Sequence, residues 1–169
     1  TPQGEPIENP DLPGEHMELL IEVSSLEAAK RWEGARMQKY EYESGMTGNM
    51  NNDFVLYRMA DVYYMKAEAI LRGGNASLAN LCAQEQFQLI RKRAEQPVYT
   101  EATLTLDELI IERGREFAWE GWRRNDQIRF GTWGDAWDFK AVSDAKYKIF
   151  PIPQVQIDSN PNLEQNDGY

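Results

Sequence analysis

Two adjacent glycines, Gly73 and Gly74, stop a helical pattern and so limit what this chain can become. Upstream, residues 54–72 place Val55, Met59, Val62, Tyr63, Ala67 and Ile70 on one face at steps of about 100°, with Arg58, Asp61, Glu68 and Arg72 opposite. Glu68 and Arg72 stand at the i,i+4 spacing that favours an ion pair. Glycine enters the left-handed conformation that closes a helix without a Cβ clash. Asn75 or Ser77 can then cap a second helix running to about Glu95, with Leu78, Leu81, Cys82 and Leu89 in its stripe and Pro97 beyond its end. So short a link makes the two helices an antiparallel hairpin. Its length and spacing are those of one tetratricopeptide unit, which needs neighbours to stack on.

A third helix carries the clearest start signal. Thr105-Leu106-Asp107-Glu108 is a capping box, and Leu104 and Leu109 occupy the positions of its hydrophobic staple. The pattern continues through Trp119 to a break at Gly121, and a short helix over about 123–130 follows. Gly114 costs about 1 kcal/mol relative to alanine inside a helix, which points to close packing there. Residues 131–147 read as mixed loop, and Phe150-Pro151-Ile152-Pro153 as extended, because residues before proline avoid the α region. The polar tail over 160–169 reads as irregular. Residues 1–53 form a loop-rich segment punctuated by Pro2, Gly4, Pro6, Pro10, Pro13, Gly14, Gly45 and Gly48. It is expected to continue a preceding part of the protein, with an extended stretch over 16–23 and a short helix over 25–32. The expected fold is all-α: a tetratricopeptide-like helical hairpin plus further helices over 54–169, with long irregular loops.

Composition excludes several chemistries. The 169 residues carry 28 acidic and 18 basic side chains, a formal net charge of −10. That balance opposes nucleic-acid binding, which rests on Lys and Arg displacing counterions. No apolar run approaches the roughly 18 residues of a membrane-spanning helix, and no segment reads as a signal peptide. Cys82 is the one cysteine, so an intrachain disulfide and a zinc site of paired thiolates are excluded, and a buried structural thiol is expected. His16, the one histidine, reads as a loop residue. Asn51-Asn52-Asp53 lacks the spacing of an EF-hand loop, and the Asn75-Ala76-Ser77 sequon is accounted for by capping. No cofactor or metal is expected.

The dense ionisable cluster comprises Glu112, Arg113, Arg115, Glu116, Glu120, Arg123 and Arg124. A glycoside hydrolase would make two of these glutamates its acid and its base or nucleophile. Helical geometry favours another use. Arg113 and Glu120 share a stripe with Leu106, Leu109, Ile110 and Phe117, and Glu116 lies beside them. A charge on a packed face must be paired. The expectation is a structural ion network of Arg113, Glu116 and Glu120, with no catalytic residue. The five tryptophans and eight tyrosines offer faces on which a sugar can stack. Trp119, Trp122, Tyr63 and Tyr64 lie on or beside helices and are expected to pack. Trp133, Trp137 and Phe139 lie in a loop containing glycine and aspartate; Trp133 and Trp137 are the candidate glycan contacts, with packing on the helices as the alternative. Trp32, Tyr40 and Tyr42 stay open to either use.

Three segments, in one order and spacing, carry a resemblance. Tyr57-Arg58-Met59-Ala60-Asp61-Val62-Tyr63-Tyr64-Met65-Lys66-Ala67-Glu68-Ala69 follows the pattern R-x-A-D-x-x-x-x-x-A-E-A. Glu112-Arg113, Glu116, Glu120-Gly121, Arg123, Asp126 and Arg129 follow E-R-x-x-E-x-x-x-E-G-x-R-x-x-D-x-x-R. Phe150-Pro151-Ile152-Pro153 and the run from Asn160 to Tyr169 form the third, and Ile90-Arg91-Lys92-Arg93-Ala94 adds a weaker fourth. Together they resemble the RagB/SusD family of outer-membrane nutrient-binding lipoproteins. Arg124-Asn125 and Gly114 depart from its usual residues. The resemblance implies a tetratricopeptide-like scaffold with long loops, and a lipid anchor on an amino-terminal part preceding these residues as the sole membrane attachment. It implies non-catalytic capture of an oligosaccharide or other nutrient at the outward face of the outer membrane, for delivery to a SusC-like TonB-dependent transporter. The alternative is a helical interaction module that docks the transporter, with the ligand site outside these residues.

Overall fold

Side-chain caps mark where two of the helices begin. In the computed structural model, which describes residues 6–35, 39–40, 44–45 and 48–169, helix α1 spans Met59–Leu71, α2 Leu78–Cys82, α3 Glu85–Arg93, α4 Leu106–Glu116, α5 Arg123–Phe130 and α6 Gln154–Ser159. Thr105 Oγ1 accepts from the Glu108 amide at 3.1 Å, and Ser77 Oγ accepts from the Asn80 amide at 3.2 Å. The staple residues Leu104 and Leu109 are both buried. At the other end of α5, Gly131 is left-handed at φ 82°, which turns the amides of Thr132 and Trp133 back onto the Gln127 carbonyl. No strand forms among the described residues, and the architecture is all-α.

The chain falls into two compact units, Thr1–Asn52 and Asp53–Tyr169. The first is loop structure. The Met17 amide donates to the Ile7 carbonyl and the Leu20 amide to the Trp32 carbonyl. Isolated bridges join Glu8 to His16 and Leu20 to Glu33. The extended stretch expected over 16–23 thus makes single bridges, not a strand, and residues 25–32 form turns instead of a helix. His16 is an exposed loop residue. Pro2, Gly4 and Tyr42 lie outside the described residues.

In the second unit α1 packs on α2, α3 and α4, and α4 also packs on α5. Tyr64 sits at the centre, edge-on to Phe87 at 6.1 Å and to Phe117 at 5.8 Å. Phe87 in turn stacks on Tyr99 at 6.1 Å. Ala60, Ala67, Leu81, Leu104 and Leu109 complete the core.

Several sequence expectations change here. Helix α1 starts at Met59, not Phe54, and its buried face takes in Asp61 and Glu68 beside Ala60, Tyr64 and Ala67. Asp61 is 2% exposed while Met59 is 63% exposed, because the carboxylates of α1 meet arginines across the interface. The expected second helix breaks at Ala83 and Gln84, and Leu89 faces solvent. Gln88 explains the break: its Nε2 donates to the Cys82 and Tyr99 carbonyls and its Oε1 accepts from the Tyr99 amide, all at 2.9 Å or less. Cys82 is half-buried at the core edge, and burial pushes its thiol up. Helix α4 ends at Glu116, and Trp119 turns left-handed at φ 66° and 65% exposed, which redirects Glu120 inward. Such a residue costs about 1–2 kcal/mol, offset here by the ion pair that Glu120 gains. Residues 154–159, just after the prolines, form the short α6.

Candidate functional site

The buried charges come in matched sets. Arg113, 1% exposed, donates from Nη1 to Asp61 at 2.7 Å and from Nε to Asp126 at 2.8 Å. Arg129 reaches Asp126 at 2.6 Å and also binds Glu68, which pairs with Arg72 at 2.8 Å. Arg58 donates to Glu116 and to both oxygens of Glu120, and Arg93 reaches Glu116 at 2.6 Å. Glu120 and Glu116 hold the Arg58 guanidinium above its ordinary pKa against the opposing effect of burial. Glu112 accepts from Arg91 at 2.7 Å and from the Tyr64 hydroxyl at 3.1 Å. Every buried side-chain polar atom among the described residues has a partner. The sequence reading joined Arg113 to Glu116 and Glu120; the structure gives Arg113 different partners, since Arg58 arrives from α1 to take both glutamates. The carboxylates of Glu112, Glu116 and Glu120 all accept from guanidinium donors.

Gly114 belongs to this architecture. A Cβ there would lie 2.8 Å from Arg123 Nη1, which crosses α4 to donate to the Ile110 carbonyl at 2.8 Å. A hollow of about 470 Å³ opens beside the Arg113 pairs, lined by Met65, Trp122, Asn125 and Ile128. Its ionic floor is already neutralised internally. No group of three or more His, Cys, Asp or Glu among the described residues has the geometry of a metal site.

The loop after α5 holds the aromatic candidates. Trp133 lies two residues after the Gly131 cap and is half-buried. Trp137 and Lys140 close a tight turn through paired backbone bonds of 3.1 and 2.9 Å, with Phe139 left-handed at φ 64°. Trp137 is 50% exposed. Its ring lies 4.3 Å from Lys140 Nζ, and that ammonium is also 6.0 Å from the Trp133 ring. The structure therefore gathers Trp133 and Trp137 around one cation. Trp122 and Tyr64 pack as expected, whereas Trp119 is a surface residue.

The last residues grip the extended segment that precedes them. Gln165 Oε1 accepts from the Ile152 amide at 2.8 Å and its Nε2 donates to the Ile152 carbonyl at 2.9 Å. Asn166 Nδ2 donates to the Phe150 carbonyl at 2.7 Å, and the Tyr169 hydroxyl to the Ile149 carbonyl at 2.9 Å. These side chains replace a partner strand for backbone that prolines hold extended.

The model of the SusD family matches residues 23–169. The chain belongs to the SusD family. The starch-binding protein SusD of Bacteroides thetaiotaomicron is 36% identical over 128 residues, covering 70% of this chain and 22% of that protein. The crystal structure of a SusD superfamily protein from Bacteroides vulgatus aligns with TM-score 0.58 at 29% identity, over 68% of this chain and 28% of its own. A laminarin-binding SusD-like protein aligns with TM-score 0.54 at 31% identity, over 68% of this chain and 23% of its own. The chain thus spans about a quarter of these relatives' lengths.

Against the fold, the charged letters that carry the SusD resemblance are network members. Arg58, Asp61 and Glu68 come from the first motif, and Arg113, Asp126 and Arg129 from the second. Hydropathy placed the α1 charges on the solvent face. Their spacing, at 58, 61 and 68, was the available signal that they share the face with Ala60, Tyr64 and Ala67.

Proposed function

We propose that this chain is part of a non-catalytic SusD-type protein that captures glycan at the outer surface of the outer membrane. The half-exposed Trp137 ring, held by a tight turn beside Trp133 and Lys140, carries the reading within this chain. An aromatic face offers a sugar ring apolar contact, and rigid placement spares the entropy of ordering it. The relatives named above as binding starch and laminarin support a carbohydrate ligand. On this reading an amino-terminal lipid tethers the full-length protein, and a SusC-like TonB-dependent transporter receives the ligand. No cofactor takes part.

Calorimetry with an oligosaccharide panel tests it, using both this chain and the full-length protein. Trp133→Ala and Trp137→Ala are each expected to weaken binding about ten-fold, and unchanged affinity in both retires the assignment. The second reading, a module that docks the transporter, is favoured by exposed Val142, Ile149, Phe150 and Val155 around the carboxyl-terminal clamp. It predicts transporter capture by this chain without glycan.

A further inference from the structure

The arginines that pack between the helices are neutralised at contact distance. Arg58, Arg91, Arg113 and Arg129 each lie against a carboxylate. Arg124 and Lys140 do not. Among the described residues neither has a carboxylate partner, although the chain carries ten more acidic than basic charges. Both are half-buried, and both are held against aromatic rings. The Arg124 guanidinium lies 5.5 Å from the centre of Trp133 and 4.8 Å from that of Phe150. Lys140 Nζ lies between Trp133 and Trp137. Rings and cations thus alternate in the order Trp137, Lys140, Trp133, Arg124, Phe150.

The donors are fixed and partly unspent. Lys140 Nζ donates to the carbonyls of Asp135 at 2.8 Å and Ala141 at 3.1 Å, which leaves one of its three N–H groups. Arg124 commits Nη2 to the Tyr147 and Lys148 carbonyls, and no described residue accepts from its Nε or Nη1. Carbonyl and ring contacts orient these cations but leave their charge uncompensated, so they are preorganised for an anion. A ligand that meets alternating rings and cations needs apolar C–H faces and negative groups in one molecule.

We propose that the Trp133–Trp137 loop recognises acidic glycan, with Lys140 and Arg124 contacting carboxylate or sulfate on the sugar that Trp137 stacks. The inference rests on the glycan-contact reading above and names its substrate class. Nucleic acid shares the same chemistry, but the net charge of −10 repels a long polyanion, while a short acidic oligosaccharide feels mainly the cations within a Debye length of it.

The test compares matched ligands on the full-length protein by calorimetry. One pair is an oligogalacturonate and its fully methyl-esterified form; the other is a carrageenan oligosaccharide and its desulfated form. The acidic member of at least one pair is expected to bind about ten- to a hundred-fold more tightly, the scale of one or two charge-assisted hydrogen bonds. Which pair discriminates tells carboxylate from sulfate. The preference is expected to fall several-fold in Lys140→Gln and in Arg124→Gln, and to shrink as salt is raised with the unaltered protein. If neutral and acidic members bind equally and Trp137→Ala weakens both, the anion assignment is overturned and the glycan-contact reading stands. If no ligand in either pair binds, the acidic-glycan proposal is overturned and the glycan-contact reading rests on the oligosaccharide panel; if Trp133→Ala, Trp137→Ala and Lys140→Gln all leave the affinities unchanged, both are overturned. Tighter binding of a single-stranded oligonucleotide than of either acidic glycan also overturns the proposal.

Discussion

Replacing Arg113 with methionine tests the ion network most directly. The guanidinium side chain is 1% exposed and its partners Asp61 and Asp126 are 2% and 1% exposed, so the three charges neutralise one another almost wholly out of water. Methionine keeps much of the volume and removes the charge. Asp126 retains Arg129 at 2.6 Å, but Asp61 loses the guanidinium that neutralises it. Breaking one side of a buried pair costs about 3–5 kcal/mol, most of it the stranded carboxylate. For a chain of this size that is a fall in Tm of roughly 6–20 °C, at about 2–4 °C per kcal/mol. Urea unfolding followed by tryptophan fluorescence reads the change, since Trp122 packs against Phe117 in the same interface. Adding Asp61→Asn to the Arg113→Met variant removes the stranded charge and is expected to recover about 1–3 kcal/mol. If Arg113→Met lies within about 1 kcal/mol of the unaltered chain, and the second change recovers nothing, buried charge pairing is not what holds α1 to α4.

The remaining predictions concern single local features. Thr105→Ala is expected to cost about 1 kcal/mol through loss of the α4 cap, and Thr105→Ser close to nothing, by urea unfolding. Gln88→Leu keeps the volume but strands the buried Tyr99 amide, and is expected to cost about 2–3 kcal/mol; a loss under about 0.5 kcal/mol would mean that the amide finds another acceptor. Burial first, and the Glu112 carboxylate second, push the hydroxyls of Tyr64 and Tyr99 above the ordinary tyrosine range. Their folded-state pKa values exceed the unfolded ones, so the stability they contribute is complete below about pH 10 and is lost as pH rises beyond it. Phenolate absorbance during an alkaline titration should therefore show these two ionising only with unfolding, and an early, complete titration of all eight tyrosines would contradict the burial argument.

Backbone groups at helix ends are satisfied by near neighbours in the chain, and those features are legible in the sequence alone. The Thr105 and Ser77 caps are side chains three residues from the amides they serve, and the stops after α1 and α5 are the left-handed glycines Gly73 and Gly131. The motifs at residues 57–69 and 112–129 likewise place the chain in its family, because they record charged residues at fixed intervals. Which face of α1 is buried was decided elsewhere. Hydropathy assigned Asp61 and Glu68 to solvent, and only the arrival of Arg113 and Arg129, 52 and 61 residues along the chain, makes their burial affordable. The same holds for the break at Gln84, where Gln88 bonds a loop strand of backbone at Tyr99, and for Trp119, whose left-handed turn is sustained by Glu120 meeting Arg58. The alternation of Trp137, Lys140, Trp133, Arg124 and Phe150 is also invisible along the chain, since it is assembled from a turn, a helix and an extended segment. Local chemistry sets where an element starts and stops; the partner that neutralises a charge or covers a ring comes from a distant segment, and only tertiary packing brings it there.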